Sequence, residues 1–371
     1  MSIKVGKISG IEIRLHYSWF VVFGLITWSL AVGYLPDQYP GQTSSFYWTV
    51  GAIASATLFL SVLVHEISHS TVARRNNVNV RGITLHFFGG VSEISEEIGS
   101  SGVELRMAAM GPLTSVAIGV VFWILGTLTP ASVALGIRAT LQYTSYINLA
   151  LAAFNSIPAF PMDGGRVLRA FLWARSNNLL SATRRATQLS HFFSYLFMIF
   201  GLFSFIALST FSGIWLLIIG LFIKGSADAN LNETMMVEAL RGVKISDIMT
   251  REVHTVDPGL TVQQLVNNHF DKFKHTGFPV VSGEHLIGVV TDHDVRLVPQ
   301  ENWDEKTVKD IMKPADELIT LKPDDIASDA LLKMANGDVG RLPVLEGDKL
   351  VGIVTRSDIA RTIKSRLQFR S

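Results

Sequence analysis

The sequence predicts a polytopic α-helical membrane domain followed by a soluble α/β domain built as a tandem repeat. Three observations carry this reading. Residues 1–225 hold several long apolar runs, whereas residues 244–371 carry Asp, Glu, Lys and Arg throughout. Charged residues make up only 17% of the 371 and apolar residues 48%, an average that hides these two unlike parts. The C-terminal part also matches itself at an offset of about 64 residues, "GFPVVSGEHLIGVVTDHDV" against "RLPVLEGDKLVGIVTRSDI". Between the two parts, residues 226–243 read as a linker helix. The formal net charge of +1 gives no support for a nucleic-acid partner. Cysteine is absent, so there is no disulfide, and any metal must be held by His and carboxylate.

The opening "MSIKVGKISGIEIRLHYSW" shows no cleavable signal-peptide pattern and reads as an amphipathic or strand-like lead-in. A membrane-crossing helix needs about 20 mostly apolar residues. Six segments are candidates, at about 17–35, 47–72, 105–128, 135–156, 190–208 and 211–225, the last two joined by a tight turn at "STFSG". Lys4, Lys7 and Arg14 precede the first; Arg74, Arg75, Arg81 and Arg106 follow the second; Arg166, Arg169, Arg175, Arg184 and Arg185 follow the fourth; Lys224 and Arg241 flank the end of the last. The opposite loops, 36–46, 129–134 and 209–213, contain no Lys or Arg. That bias places both termini and the soluble domain in the cytoplasm of a multi-pass cell-membrane protein.

The second candidate span ends in "LFLSVLVHEISHSTVARR" (58–75). His65 and His69 are four residues apart, so a helix puts both on one face, within reach of one cation. Glu66 stands beside the first. His-Glu-x-x-His is the helical zinc motif of metalloproteases, and ionisable groups in a membrane helix are costly and usually functional. Two histidines leave a catalytic zinc short of one protein ligand. The third candidate lies in "NSIPAFPMDGGRVLRA" (155–170), where two prolines and two glycines break the fourth span. Broken backbone at membrane depth is tolerated only inside protein or beside water. Asp163 in that break can turn toward the metal, or cap the basic helix that follows it; spacing leaves both open. Asn155 can donate to a developing oxyanion or cap a freed carbonyl. His16 and His86 read as interfacial or packing histidines rather than as further ligands.

Taken together, His65-Glu66-x-x-His69 and Asn155-x-x-Pro158-x-x-Pro161-x-Asp163-Gly164 resemble the site-2 protease family of intramembrane zinc metalloproteases. The likeness covers nearly the whole of residues 1–225. It implies that His65, His69 and Asp163 bind one zinc, that Glu66 is the general base, and that Asn155 holds the substrate carbonyl. It also implies an active site within the membrane, reached by water from the cytoplasmic side. The PDZ-like insertion of some branches is not read here. "MGPLTS" (110–115) resembles a further family motif, in which Gly111-Pro112 would kink or thin the third span near the site.

"RGITLHFFGGVSEIS" (81–95) is rich in β-branched and aromatic residues and reads as a small membrane-associated hairpin with Gly89-Gly90 at its turn. Its open edge offers a place for an unwound substrate strand near residues 83–94, a use that similar hairpins in the family suggest. The two C-terminal copies, about 244–300 and 306–365, each read as a lead strand, a helix, two strands around a turn, and a helix opening at Thr-x-x-Asp. They resemble a tandem pair of cystathionine-β-synthase (CBS) domains. That likeness implies dimerisation and clefts for an adenine nucleotide, ATP or AMP, held by Thr291, Asp294, Thr355 and Asp358, with Arg296, Arg341 and Arg356 near phosphate; the aspartates could instead only cap their helices.

The function expected is an intramembrane zinc endopeptidase acting on membrane-protein substrates, with a cytosolic CBS module that binds adenine nucleotide and regulates activity or dimerisation. The alternative is a CBS-regulated transporter or channel whose His, Glu and Asp line an ion path.

Overall fold

A computed structural model of the chain describes residues 2–8, 10–86, 89–94, 99–207, 212–273, 275–337 and 339–368. The chain divides into two compact units, 1–232 and 233–371.

The first unit opens with β1 (Ser2–Ile8) and β2 (Ile11–His16). Next come α1 (Tyr17–Ser29), a π-helical turn at Leu30–Tyr34, and α2 (Leu35–Gln38). The long α3 (Ser44–Arg75) is opened by the Thr43 hydroxyl, which accepts from the Phe46 N–H, and closed by Asn76. The strands β3 (Val80–His86) and β4 (Gly89–Ile94) follow. The remaining helices are α4 (Ser101–Leu128), α5 (Ala131–Asn155), α6 (Asp163–Ser176), α7 (Leu179–Ala207) and α8 (Ser212–Leu240).

Among the described residues, five stretches are helical, long and apolar enough to cross a membrane: Tyr17–Gln38, Ser44–Arg75, Ser101–Leu128, Leu179–Ala207 and Gly213–Leu240. Their large apolar side chains face outward, as at Trp28, Leu113, Trp123, Ile199 and Leu221. The expected fourth span is a helix, α5, but it is not apolar enough to be counted with them. Its Thr140, Thr144, Ser145 and Asn148 are buried rather than facing lipid. Asn148 donates to Ser61 Oγ on α3 (3.0 Å) and Ser145 to Gly119 O on α4 (2.8 Å). Polar groups between helices lower hydropathy without meeting lipid.

The last two candidate spans are both full helices. Gly201 and Gly213 each leave no room for a Cβ against the other's backbone, and Ser194 donates to Gly220 O, so α7 and α8 pack backbone to backbone. The expected turn at "STFSG" lies largely outside the described residues. Residues 226–240, read as part of a linker helix, form the last part of α8.

The hairpin is larger than the sequence suggested. Strands run β1-β2-β3-β4, with β2 and β3 parallel (Ile13 opposite Ile83) and β3 and β4 antiparallel. Gly89 and Gly90 are not at the turn: they pair with His86 and Leu85 at the start of β4. Residues 87 and 88 lie outside the described residues. Ile11, Ile13, Ile83 and Leu85 pack with Ala73 and Met107, which seats the sheet on α3 and α4.

In the second unit, β5 (Gly277–Ser282), β6 (His285–Thr291), β7 (Lys313–Pro314), β8 (Arg341–Glu346) and β9 (Lys349–Thr355) form one sheet, in the order β5-β6-β9-β8 with β7 beside β6. Its helices are α9 (Ile245–Ile248), α10 (Val262–Leu265), α11 (Asp271–Phe273), α12 (Asp292–Arg296), α13 (Val308–Ile311), α14 (Ala327–Asn336) and α15 (Arg356–Gln368). Each hairpin turns on a two-residue loop with a positive-φ glycine, Gly283 or Gly347. The expected lead strands are reduced to single parallel bridges, Val256 to Val280 and Leu321 to Val344.

Candidate metal centre

At 1.5 Å per residue α3 is roughly 48 Å long, longer than a bilayer's hydrocarbon core of about 30 Å, and His65 and His69 fall in its last third. Both rings are buried. Their Nε2 atoms lie 3.1 Å apart. Asp163 Oδ2 is 3.2 Å from each of them.

Asp163 does not cap the helix that follows it. The N-cap is Met162, and Asp163 is the first helical residue, with its carboxylate turned to α3. The reason lies in the two glycines after it. A Cβ on Gly164 would strike the Ser156 and Ile157 carbonyls, and one on Gly165 would lie 2.6 Å from Phe160 N. Their absence lets α6 begin flush against the broken segment 156–162. That segment is anchored in turn by the Phe160 N–H, which donates to Ser190 Oγ on α7 (2.8 Å). Deeper in α6, Arg169 donates to the buried Glu104 of α4 through Nε (2.8 Å) and to Asn230 of α8 (2.8 Å).

The three donor atoms fit a zinc ion. They belong to buried residues and lie within 4.8 Å of one another. A tetrahedral ion with bonds of about 2.0–2.1 Å spans ligand edges of roughly 3.3 Å, close to the separations seen here. Space for the ion is kept by Gly111 of α4: a Cβ there would lie 2.6 Å from His65 Nε2 and nearer still to that of His69. Behind the rings, His69 Nδ1 meets the Met107 carbonyl (2.6 Å) and His65 Nδ1 meets Ser115 Oγ (2.9 Å).

The cluster opens into a cavity of about 470 Å³. Glu66, Asn155 and Arg166 line it, with Leu151, Phe154 and Phe222 as apolar wall. Asn155 is the last residue of α5, at the lip of the break. Gly90 of β4 lies so close to Glu66 that a Cβ would sit 2.8 Å from its carboxyl carbon. The sheet therefore passes directly over the carboxylate. His86 lines the cavity, and the His16 ring lies tilted against it at 4.9 Å; neither joins the donor cluster. Sequence reading missed Ser115 and the use of the Met107 carbonyl. Only the Gly-Pro in "MGPLTS" hinted at them.

In the second unit the Thr-x-x-Asp pairs turn inward on themselves. Asp294 Oδ2 accepts from Thr291 N–H (2.8 Å) and Thr291 Oγ1 (2.6 Å). Asp358 does the same with Thr355, at 3.0 and 2.6 Å. These are capping boxes. Arg341, expected near phosphate, instead joins the two repeats by donating to Gly277 O (2.5 Å) and to Thr276 Oγ1. Arg296 pairs with Asp292 at 3.3 Å.

A helical membrane unit that buries two histidines and an aspartate beside a glutamate, within a cavity, defines a membrane metallohydrolase. Residues 53–201 match Peptidase family M50, and residues 245–301 and 308–365 each match the CBS domain. Rip3 of Mycobacterium tuberculosis, named as a zinc metalloprotease, is 33% identical over 98% of this chain and 93% of its own. The zinc metalloprotease MJ0392 of Methanocaldococcus jannaschii is 32% identical over 98% and 96%. A solved site-2 protease from Methanocaldococcus jannaschii is 33% identical, covering 62% of this chain and 94% of its own, with a TM-score of 0.43. The chain belongs to peptidase family M50, the site-2 protease family of zinc metalloproteases, and carries a tandem CBS pair. That membership sets aside the transporter or channel reading.

Proposed function

We propose that this protein is an intramembrane endopeptidase that hydrolyses peptide bonds within or beside the membrane segments of protein substrates. The convergence of His65, His69 and Asp163 with Glu66 in one cavity carries the reading. His65, His69 and Asp163 would hold one zinc, which when bound acidifies water and polarises a carbonyl. Glu66 takes the proton of the attacking water and returns it to the leaving amine. The Asn155 amide donates to the carbonyl oxygen as charge builds there. A substrate helix must unwind first, because its carbonyls are bonded internally.

The unwound segment is received at the outer edge of β4. The far edge of β3 is already taken by β2, so the docking strand expected across 83–94 narrows to Gly89–Ile94. Single prolines placed along β4 should bind zinc normally and cleave poorly; normal cleavage by the whole series excludes this route.

Loop charge supports cytoplasmic termini; on the opposite side a single arginine, Arg138, lies within α5. The CBS pair is read as a homodimerisation module that also takes ATP or AMP beside Thr291, Asp294, Thr355 and Asp358. Each capping box engages Oδ2 of its aspartate; Oδ1 of Asp294 is the atom that would meet a ribose, whereas Oδ1 of Asp358 lies 3.7 Å from an Arg361 nitrogen that a ribose would have to displace. Calorimetry on the full-length protein, with Asp294→Ala and Asp358→Ala as controls, tests this. No heat with either nucleotide reduces the pair to a docking or dimerisation module.

The decisive experiment compares Glu66→Gln with His65→Ala. The first should keep zinc and lose cleavage by roughly a hundredfold or more; the second should lose both. Undiminished cleavage by Glu66→Gln would remove it from the role of base.

A further inference from the structure

Met107, Gly111 and Ser115 follow one another at four-residue intervals on α4, and so share one face. None is a metal ligand by type, yet together they meet both histidine rings. All three are buried. The Met107 carbonyl can only accept, so the His69 Nδ1 beside it carries the proton and Nε2 is left with the lone pair. For His65 the partner is a hydroxyl, which can donate or accept. With Nε2 turned toward a cation, Nδ1 must carry the proton and Ser115 Oγ must accept it. The Gly111 Cα faces the gap between the two Nε2 atoms, where a methyl group would stand at near-coordination distance.

We infer that this face of α4 is the outer shell of the metal centre. Ser115 positions His65 and fixes its tautomer, and Gly111 reserves the volume of the ion. The inference rests on the reading of His65, His69 and Asp163 as ligands. A competing account makes the same residues a small-residue stripe that lets α3 and α4 approach. The two accounts part at Ser115. Ser115→Ala barely changes volume and keeps the helices together, so packing predicts little effect, whereas loss of an outer-shell partner weakens metal binding roughly ten- to a hundredfold. Gly111→Ala adds a methyl to a helix that favours alanine over glycine, so the helix persists while the ion's place is filled.

The test uses full-length protein in detergent, stripped of metal and titrated with zinc against a competing chelator. Cobalt(II) is then added as a spectroscopic probe. Ser115→Ala should bind zinc roughly ten- to a hundredfold more weakly and shift the cobalt d–d bands, with thermal unfolding of the metal-free protein unchanged. Gly111→Ala should bind no zinc while keeping its helix content by circular dichroism, because its methyl would displace the buried imidazoles. His65→Ala separates the two layers: if it binds zinc as wild type does, the ligand reading itself fails. If His65→Ala loses zinc while Ser115→Ala and Gly111→Ala bind it within about twofold of wild type, the outer-shell inference is overturned.

Discussion

Asp163 in the membrane unit and Asp294 and Asp358 in the repeat unit all lie in the first turn of a helix, after a residue in extended conformation. All three could be read as ligand or as cap. Asp163 turns away from its own helix, toward two histidines 98 and 94 positions earlier in the chain. Asp294 and Asp358 turn back to the threonine three residues before them. The difference lies in what precedes each. Thr291 and Thr355 offer a hydroxyl and an N–H that satisfy the carboxylate locally, whereas Met162 offers no side-chain partner. A carboxylate oxygen with local donors is committed to its own helix; a carboxylate without them is available to a distant partner.

The sharpest way to break this comparison is Asp163→Asn. It should cost bound zinc and cleavage together, while Asp294→Asn should leave zinc content unchanged; metal analysis of both purified proteins decides. Stoichiometric zinc in Asp163→Asn would show that Asp163, too, is only a helix residue.

The ion pairs of the two units should differ next most. Glu104 is 1% exposed and Arg169 14%, so Glu104→Ala leaves a guanidinium without its carboxylate in the bundle, at about 3–5 kcal/mol. Lys349→Ala, which removes the solvent-exposed partner of Glu284, should leave unfolding unchanged within error. Equal effects from the two would erase the distinction.

Thr291→Ala and Thr355→Ala should each destabilise the repeat unit by about 1 kcal/mol, read by denaturant unfolding, without altering zinc. The smallest effect concerns pH. The ring of His269 packs against Phe278, and burial lowers its pKa. A base depressed in the fold stays neutral there while the unfolded chain takes up protons below about 6.5. The repeat unit should therefore lose stability as pH falls from that value toward the lower folded one, and His269→Leu should flatten the dependence. An identical pH profile in wild type and variant would rule out this residue.

Much of this was legible in one dimension. The apolar runs, the helical pair His65 and His69, the Pro-Gly break around Asp163 and the repeat offset each declare themselves through local spacing, because helix periodicity and backbone breakage are local properties. Two features that looked local were not. The hairpin at 81–95 was visible from its β-branched residues, but its parallel partner β2 lies about 70 residues earlier, and nothing near either strand announces the pairing. Helix α5 looked like a span of its own, yet its polar face is explained only by Ser61 on α3 and Gly119 on α4.

The sequence by itself determined the membrane and repeat units, the histidine pair on one helix face and the place where the backbone must break. Tertiary structure alone decided that Asp163 faces the histidines, that Ser115 and the Met107 carbonyl hold the rings from behind, that Gly111 leaves room between them, and that β4 crosses above Glu66. The physical reason is that these are meetings of helices and strands distant in sequence. Whether a carboxylate is a cap or a ligand, or a glycine a turn or a space, depends on which surface is packed against it.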